Sequence, residues 1–152
     1  MKFSYQLYSS RNFPPLTDTL KELAGLGYAE VEGYGGLFSD VAAAETLRRD
    51  LDANELVMPT AHVGLDMIEA DAATVAAIAK TIGIGTVFCP HIGEDQRPGD
   101  ADGWRAFGAR LAEAGPIWRL NLIWRGASVL VWITLSSLSG THRVLWPHTS
   151  KT

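Results

Sequence analysis

Glu32, His62 and His91 are the side chains best suited to moving protons, and each stands at or just past the end of an apolar, strand-like run. A carboxylate in that position accepts hydrogen bonds from hydroxyl groups, or acts as an acid or base when partial burial raises its pKa. An imidazole titrates near neutrality and can donate to or accept from an oxygen. Tyr8, Arg11 and Asn12 follow the first apolar stretch and offer a phenol, a guanidinium and an amide to an anionic or hydroxylated ligand. Plainer roles stay open for each of them. Glu32 could be a solvated loop carboxylate, His62 a satisfied core histidine, His91 a loop histidine and Arg11 a partner in a rim salt bridge. Glu30 lies two residues before Glu32 and so on the same side of a strand, where it must be paired if it is enclosed.

Other motifs carry less chemistry. Gly33-Tyr34-Gly35-Gly36 could let a backbone approach a phosphate, yet no Lys-Ser or Lys-Thr follows and G-x-G-x-x-G is not met, so a flexible loop is expected. Gly83 stops a helix rather than cradling a phosphate. Cys89, the one cysteine, excludes an internal disulfide and reads as a small buried hydrophobe before a nucleophile.

The elements that must position these groups alternate between strand and helix. Lys2–Tyr8 reads as a strand, and Leu16, Leu20, Leu23 and Ala24 fall at helical spacing after Pro14-Pro15. Tyr28–Glu32 is a second strand, Asp40 caps a helix over Val41–Ala53, and Val57–Val63 is a third strand. Asp71 caps a helix running to Ile82, Ile84–Cys89 is a fourth strand, and Gly103–Ala114 is a fourth helix. Strand openings near Phe3, Ala29, Val57 and Thr86 come 26, 28 and 29 residues apart. That rhythm predicts an α/β fold of parallel βα repeats, with ligands at the carboxyl ends of the strands. A doubly wound sheet and an incomplete barrel both fit it. A full eight-stranded barrel takes about 250 residues, and four βα units make half of one.

The chain of 152 residues is long enough for one ordinary core, and its net charge of −4 argues against a protein that coats nucleic acid. No run reaches the ~18 apolar residues of a membrane span, and no charged-then-apolar leader opens the sequence. With one cysteine, these features predict a cytoplasmic protein without membrane partners. The average hides a break. All 17 acidic residues lie at or before Glu113, with nine basic residues over the same stretch and four after it, so a net −8 is followed by +4. Trp118, Trp124, Trp132 and Trp146 also fall after the break. Residues 1–117 and 118–152 therefore read as different kinds of sequence, the second an atypical tail without a clean period.

The run Phe3-Ser4-Tyr5-Gln6-Leu7-Tyr8-Ser9, the strand Gly27-Tyr28-Ala29-Glu30-Val31-Glu32-Gly33-Tyr34 and the ending Ala61-His62 resemble the sugar phosphate isomerase/epimerase family. The resemblance covers roughly residues 1 to 119, in order and spacing. It implies the xylose isomerase-like TIM barrel, here its amino-terminal half. It also implies a divalent metal (Mn, Mg or Zn) and interconversion of ketoses and aldoses, or of epimers, by proton abstraction next to a carbonyl. A sugar or sugar phosphate would then meet Glu32 and His62 as catalytic groups, with Tyr8, Arg11 and His91 beside them. The family's usual metal ligands end the fifth to eighth strands, but the tail holds no carboxylate, and His142 and His148 have no defensible ligand spacing. The expectation is that this chain binds no metal, is inactive as it stands, and carries a shifted frame or truncation after about residue 119.

Two alternatives accompany that expectation. One is a non-catalytic half-barrel or interaction protein, forming a homodimer through exposed sheet edges. The other, through the strand-end imidazoles His62 and His91, resembles the apurinic endonuclease branch of the superfamily, in which such histidines help to bind zinc. Zinc would need further ligands, and the acidic chain offers no basic groove for DNA.

Overall fold

The computed structural model describes the backbone of residues 3–113, 118–125 and 128–135 and the side chains of residues 3–111. It begins with β1 (Ser4–Gln6), a 3-10 turn at Leu7–Ser10, α1 (Leu16–Gly25), β2 (Glu30–Tyr34), α2 (Val41–Ala53) and β3 (Val57–His62). It continues through α3 (Leu65–Ala70), α4 (Ala72–Ile82), β4 (Thr86–Cys89), α5 (Ala101–Glu113), β5 (Trp118–Arg125) and β6 (Ser128–Leu135). The strands form one open sheet in the order β1-β2-β3-β4-β6-β5, with β1 to β4 all parallel. Because each new parallel strand is laid outside the last, the winding never reverses. That is the sense of a partial barrel and not of a doubly wound sheet, where the order reverses at a switch point.

Local chemistry accounts for the helices. Asp40 accepts from the Ala43 N–H at 2.8 Å and Asp71 from the Thr74 N–H at 3.0 Å, so both residues cap as their positions predict. Gly83 takes the left-handed conformation (φ 90°) that ends α4, and α5 begins where the Asp100 carboxylate accepts from Gly103 N–H. Helix α3 is an addition: a single helix from Asp71 is what the spacing predicts, yet Leu65 and Ile68 bury their side chains one turn apart in the six residues before it. The first strand is shorter than expected. From Leu7, which is fully buried, the chain coils into the 3-10 turn.

The core lies between the sheet and the helices. Val31, Ala61, Val87 and Cys89 point toward it from the strands and meet Leu20, Leu47, Leu51, Val75, Ile78 and Ile82 of the helices. Arg48 ties α2 to α4 by donating to the carbonyl of Ile82 at 2.8 Å and pairs with Asp52 on its own helix. The opposite sheet face stays half-exposed, because period-two alternation puts the polar residues of each strand there.

One irregularity sets which residues share that face. Glu30 pairs with Val57 but Glu32 pairs with Thr60, so β3 holds one residue more than β2 between those rungs. The extra residue falls beside Pro59, which has no N–H to give to a ladder. Past the bulge, Tyr34 pairs with His62.

Beyond α5 no element is expected from the sequence, yet the backbone forms β5 and β6, paired antiparallel from Trp118↔Leu135 to Arg125↔Ser128. Strand β6 then pairs antiparallel with β4, from Thr86↔Thr134 to Cys89↔Val131. This changes one expectation: the outer edge of β4 is covered, and among the described strands the outermost are β1 and β5. His142 and His148, and the end of the tail, lie outside the described residues.

Candidate functional site

Gln6, Glu32, Thr60 and Thr86 occupy one rung across the four parallel strands, and Tyr34, His62 and Phe88 occupy the next. All seven stand on the face away from the helices, and Gln6, Tyr34 and His62 are the carboxyl-terminal residues of their strands. That is the end where βα folds place their chemistry.

Glu32 is the centre of the arrangement. Its Oε2 accepts from Thr60 Oγ1 at 2.8 Å, and its Oε1 lies 3.3 Å from His62 Nε2. The other ring nitrogen, His62 Nδ1, lies 3.1 Å from Gln6 Nε2. Phe88 meets the imidazole edge to face, with centroids 5.9 Å apart. Glu32 and His62 side chains are 21% and 29% exposed, shielded enough to be held yet open to a solute. A carboxylate has about four lone-pair directions, so two remain for a ligand hydroxyl or a proton.

The two residues singled out as catalytic from the sequence are thus brought into contact. Tyr8 and Arg11 form a rim at the same end. The Tyr8 ring stands edge to face with Tyr34 at 5.2 Å, and the Arg11 guanidinium lies 4.0 Å over Tyr8 while donating to the Tyr8 carbonyl at 2.9 Å. Arg11 is therefore stacked on an aromatic ring, where the sequence left a carboxylate partner open.

His91 is not brought in. It is exposed, and its carbonyl accepts from Cys89 Sγ at 3.4 Å, while its ring has no hydrogen-bond, ion-pair or ring partner among the described residues. Cys89 itself is fully buried, and burial pushes its thiol up from the usual range, with Asp66 and Glu69 adding to the effect. That is the inert small hydrophobe expected of it.

Gln6 and Thr60 join the site without having been singled out. The signal for Thr60 is its place two residues before His62, the same spacing that sets Glu30 and Glu32 on one face. Gln6 carried only the alternation of Ser4 and Gln6, and no local rule ties an amide to an imidazole 56 residues away. Gly33-Tyr34 ends β2 and Gly35–Leu37 is a 3-10 turn, so the expected flexible loop is regular structure. Gly33 is closely packed: a Cβ there would sit 2.5 Å from Met58 Sδ, so the methionine side chain would have to move to admit one.

Among the described residues no three His, Cys, Asp or Glu side chains gather closely enough to hold a metal ion. Glu32 with His62 falls short of the oxygen shell of Mg²⁺ or Mn²⁺ and of the three protein ligands of a catalytic zinc. The described residues alone do not fit the metal that the family resemblance implies. Among them, too, no helix is long and apolar enough to cross a membrane. A groove of about 440 Å³ lined by Lys21, Tyr28, Asn54 and Glu55 lies at the amino-terminal end of the strands, away from the Glu32 cluster. No known protein family and no curated protein matches this chain.

Proposed function

We propose that the Glu32–His62 face is the acid–base half of a sugar isomerase or epimerase site, for a sugar or sugar phosphate. The single observation that carries the proposal is the contact between Glu32 Oε1 and His62 Nε2, at 3.3 Å on the open face near the strand ends. Glu32 takes the proton from the carbon next to the carbonyl, leaving an enediolate, and returns it from the same face to the neighbouring carbon, while the hydroxyl proton passes from one enediolate oxygen to the other. Epimerisation at the first carbon would need a second acid, supplied by solvent, on the opposite face. Thr60 and His62 hold the carboxylate in place while it does so. Arg11, stacked on Tyr8, receives the anionic end of a sugar phosphate. No step is routed through a metal ion. Such activity departs from the expectation of an inactive chain, because proton exchange needs only the base and the groups that hold it.

The test is proton exchange, which needs only the base. The purified chain is incubated in D₂O with a panel of ketoses, aldoses and their phosphates, with and without added Mg²⁺ or Mn²⁺, and deuterium at the carbon next to the carbonyl is followed by NMR. Exchange is expected with at least one substrate, reduced about 10²-fold or more in Glu32→Gln. Exchange that is absent throughout, or unchanged in that variant, removes the proposal.

A second reading, a non-catalytic half-barrel that pairs with another copy of itself, is favoured by the outer edges of β1 and β5, which pair with no further strand among the described residues. A dimer in light scattering together with no exchange would select it.

A further inference from the structure

We infer that Gln6 is a positioning residue: its amide fixes His62 as the neutral imidazole that carries its proton on Nε2, aimed at Glu32. The inference stands on the contacts among Gln6, His62 and Glu32 and does not depend on the sugar reading.

His62 has a partner on each ring nitrogen, the Gln6 amide at 3.1 Å from Nδ1 and the Glu32 carboxylate at 3.3 Å from Nε2. Ionised Glu32 can only accept, and a neutral imidazole has one donor and one acceptor. With the proton on Nδ1, the bare Nε2 would face a carboxylate oxygen, lone pair against lone pair. With the proton on Nε2, it donates to Glu32 and leaves Nδ1 to accept. Gln6 Nε2 is the donor placed to fill that position, so one assignment satisfies both contacts at once.

Gln6 reaches this place across an intervening strand. Its Cα partner is Glu32 on β2, and His62 lies one strand further, roughly 10 Å from β1 at about 4.8 Å per strand. A shorter amide or a branched side chain could not span that gap. Protonation of His62 would turn Nδ1 into a donor that meets the amide N–H head on, so it requires the Gln6 amide to rotate and present its oxygen. Among the described side chains of β1 to β4, the titratable groups on this sheet face besides His62 are Glu30, Glu32 and Tyr34 of β2; β1 and β4 add Ser4, Gln6, Thr86 and Phe88, none of them charged. The consequence for the site is a division of roles. Glu32 holds the free lone pairs and is the base, while His62 orients it and has no bare nitrogen facing it.

The tautomer is read directly by ¹⁵N–¹H NMR of the full chain at a pH above the His62 titration, the His62 signals being assigned by their loss in His62→Gln. Nε2 is expected protonated and Nδ1 bare. Gln6→Met keeps the length and removes the donor, and is expected to raise the population protonated on Nδ1. Gln6→Glu places an acceptor at Nδ1, and is expected to raise the His62 titration midpoint by about one unit or more. Wild-type His62 protonated on Nδ1, or a tautomer and midpoint unmoved in both variants, overturns the inference. The wild-type measurement needs no variant to fold, and a packing role alone would not move a tautomer.

Discussion

The carboxylate of Glu32 is held by a hydroxyl and an imidazole that come from one strand, two residues apart, and by an amide acting through the imidazole from another. Residue identity at that scale decides chemistry, and elsewhere it decides packing. Gly33 faces Met58, whose sulfur stands 2.5 Å from where a Cβ would be, and both residues are buried in the sheet's helix-facing core. Gly33→Ala is expected to destabilise the fold by about 1–3 kcal/mol through overpacking. Urea unfolding of Gly33→Ala, Met58→Ala and the double variant checks this: the double variant should be more stable than the sum of the singles predicts. Cys89 shows the converse of a reactive site. Its thiol is fully buried and pushed up by that burial, so thiolate is scarce. A thiol reagent at mildly alkaline pH should leave the folded chain unmodified and titrate one thiol per chain in guanidinium.

At the scale of elements, the helices α2 and α4 start on carboxylates that cap more strongly when ionised. Asp40 is held below the ordinary carboxylate range by the Ala43 N–H first and then the Ser39 hydroxyl, and Asp71 by the Thr74 hydroxyl first and then its N–H. A carboxyl lowered on folding contributes stability above its unfolded value of about 3.9, and the contribution disappears as the pH falls through the folded value. Thermal unfolding of the wild type should therefore weaken from about pH 4 downward. Asp40→Asn with Asp71→Asn keeps a capping oxygen that does not titrate, so the stability difference between wild type and this variant should shrink as the pH is lowered. A difference that grows toward low pH would refute the assignment.

At the scale of the whole molecule, the tail acts on the sheet through its backbone. Strand β6 occupies the ladder positions of β4 from Thr86 to Cys89, which would otherwise present unpaired N–H and C=O groups at the end of an all-parallel sheet. A chain stopped after Glu113 is expected to self-associate or aggregate at concentrations where the full chain does not, as measured by light scattering at matched pH and salt. Equal behaviour of the two would mean that the hairpin is dispensable for protecting that edge. Trp118, Leu120, Leu122 and Trp124 alternate with Arg119, Asn121 and Arg125, but Ile123 interrupts the alternation and Val129–Ile133 is apolar throughout, so no clean period marks the hairpin in the sequence. A break in charge and composition is conspicuous there instead.

The sequence by itself determined the βα rhythm, the two aspartate caps, the glycine stop after Ile82 and the placing of Glu32 and His62 near strand ends. Each of these depends on residues within a turn or two of one another, where spacing and side-chain chemistry are enough. Only the tertiary structure decided that His62 meets Glu32. In an unbroken register from Glu30↔Val57, Glu32 would oppose Pro59 and Tyr34 would oppose Ala61, turning His62 toward the helices. The single-residue bulge beside Pro59 exchanges the two faces of β3, and it shows only in the pairing of β3 with β2. The same holds for Gln6, whose partner lies two strands away and is fixed by strand order rather than by any local pattern.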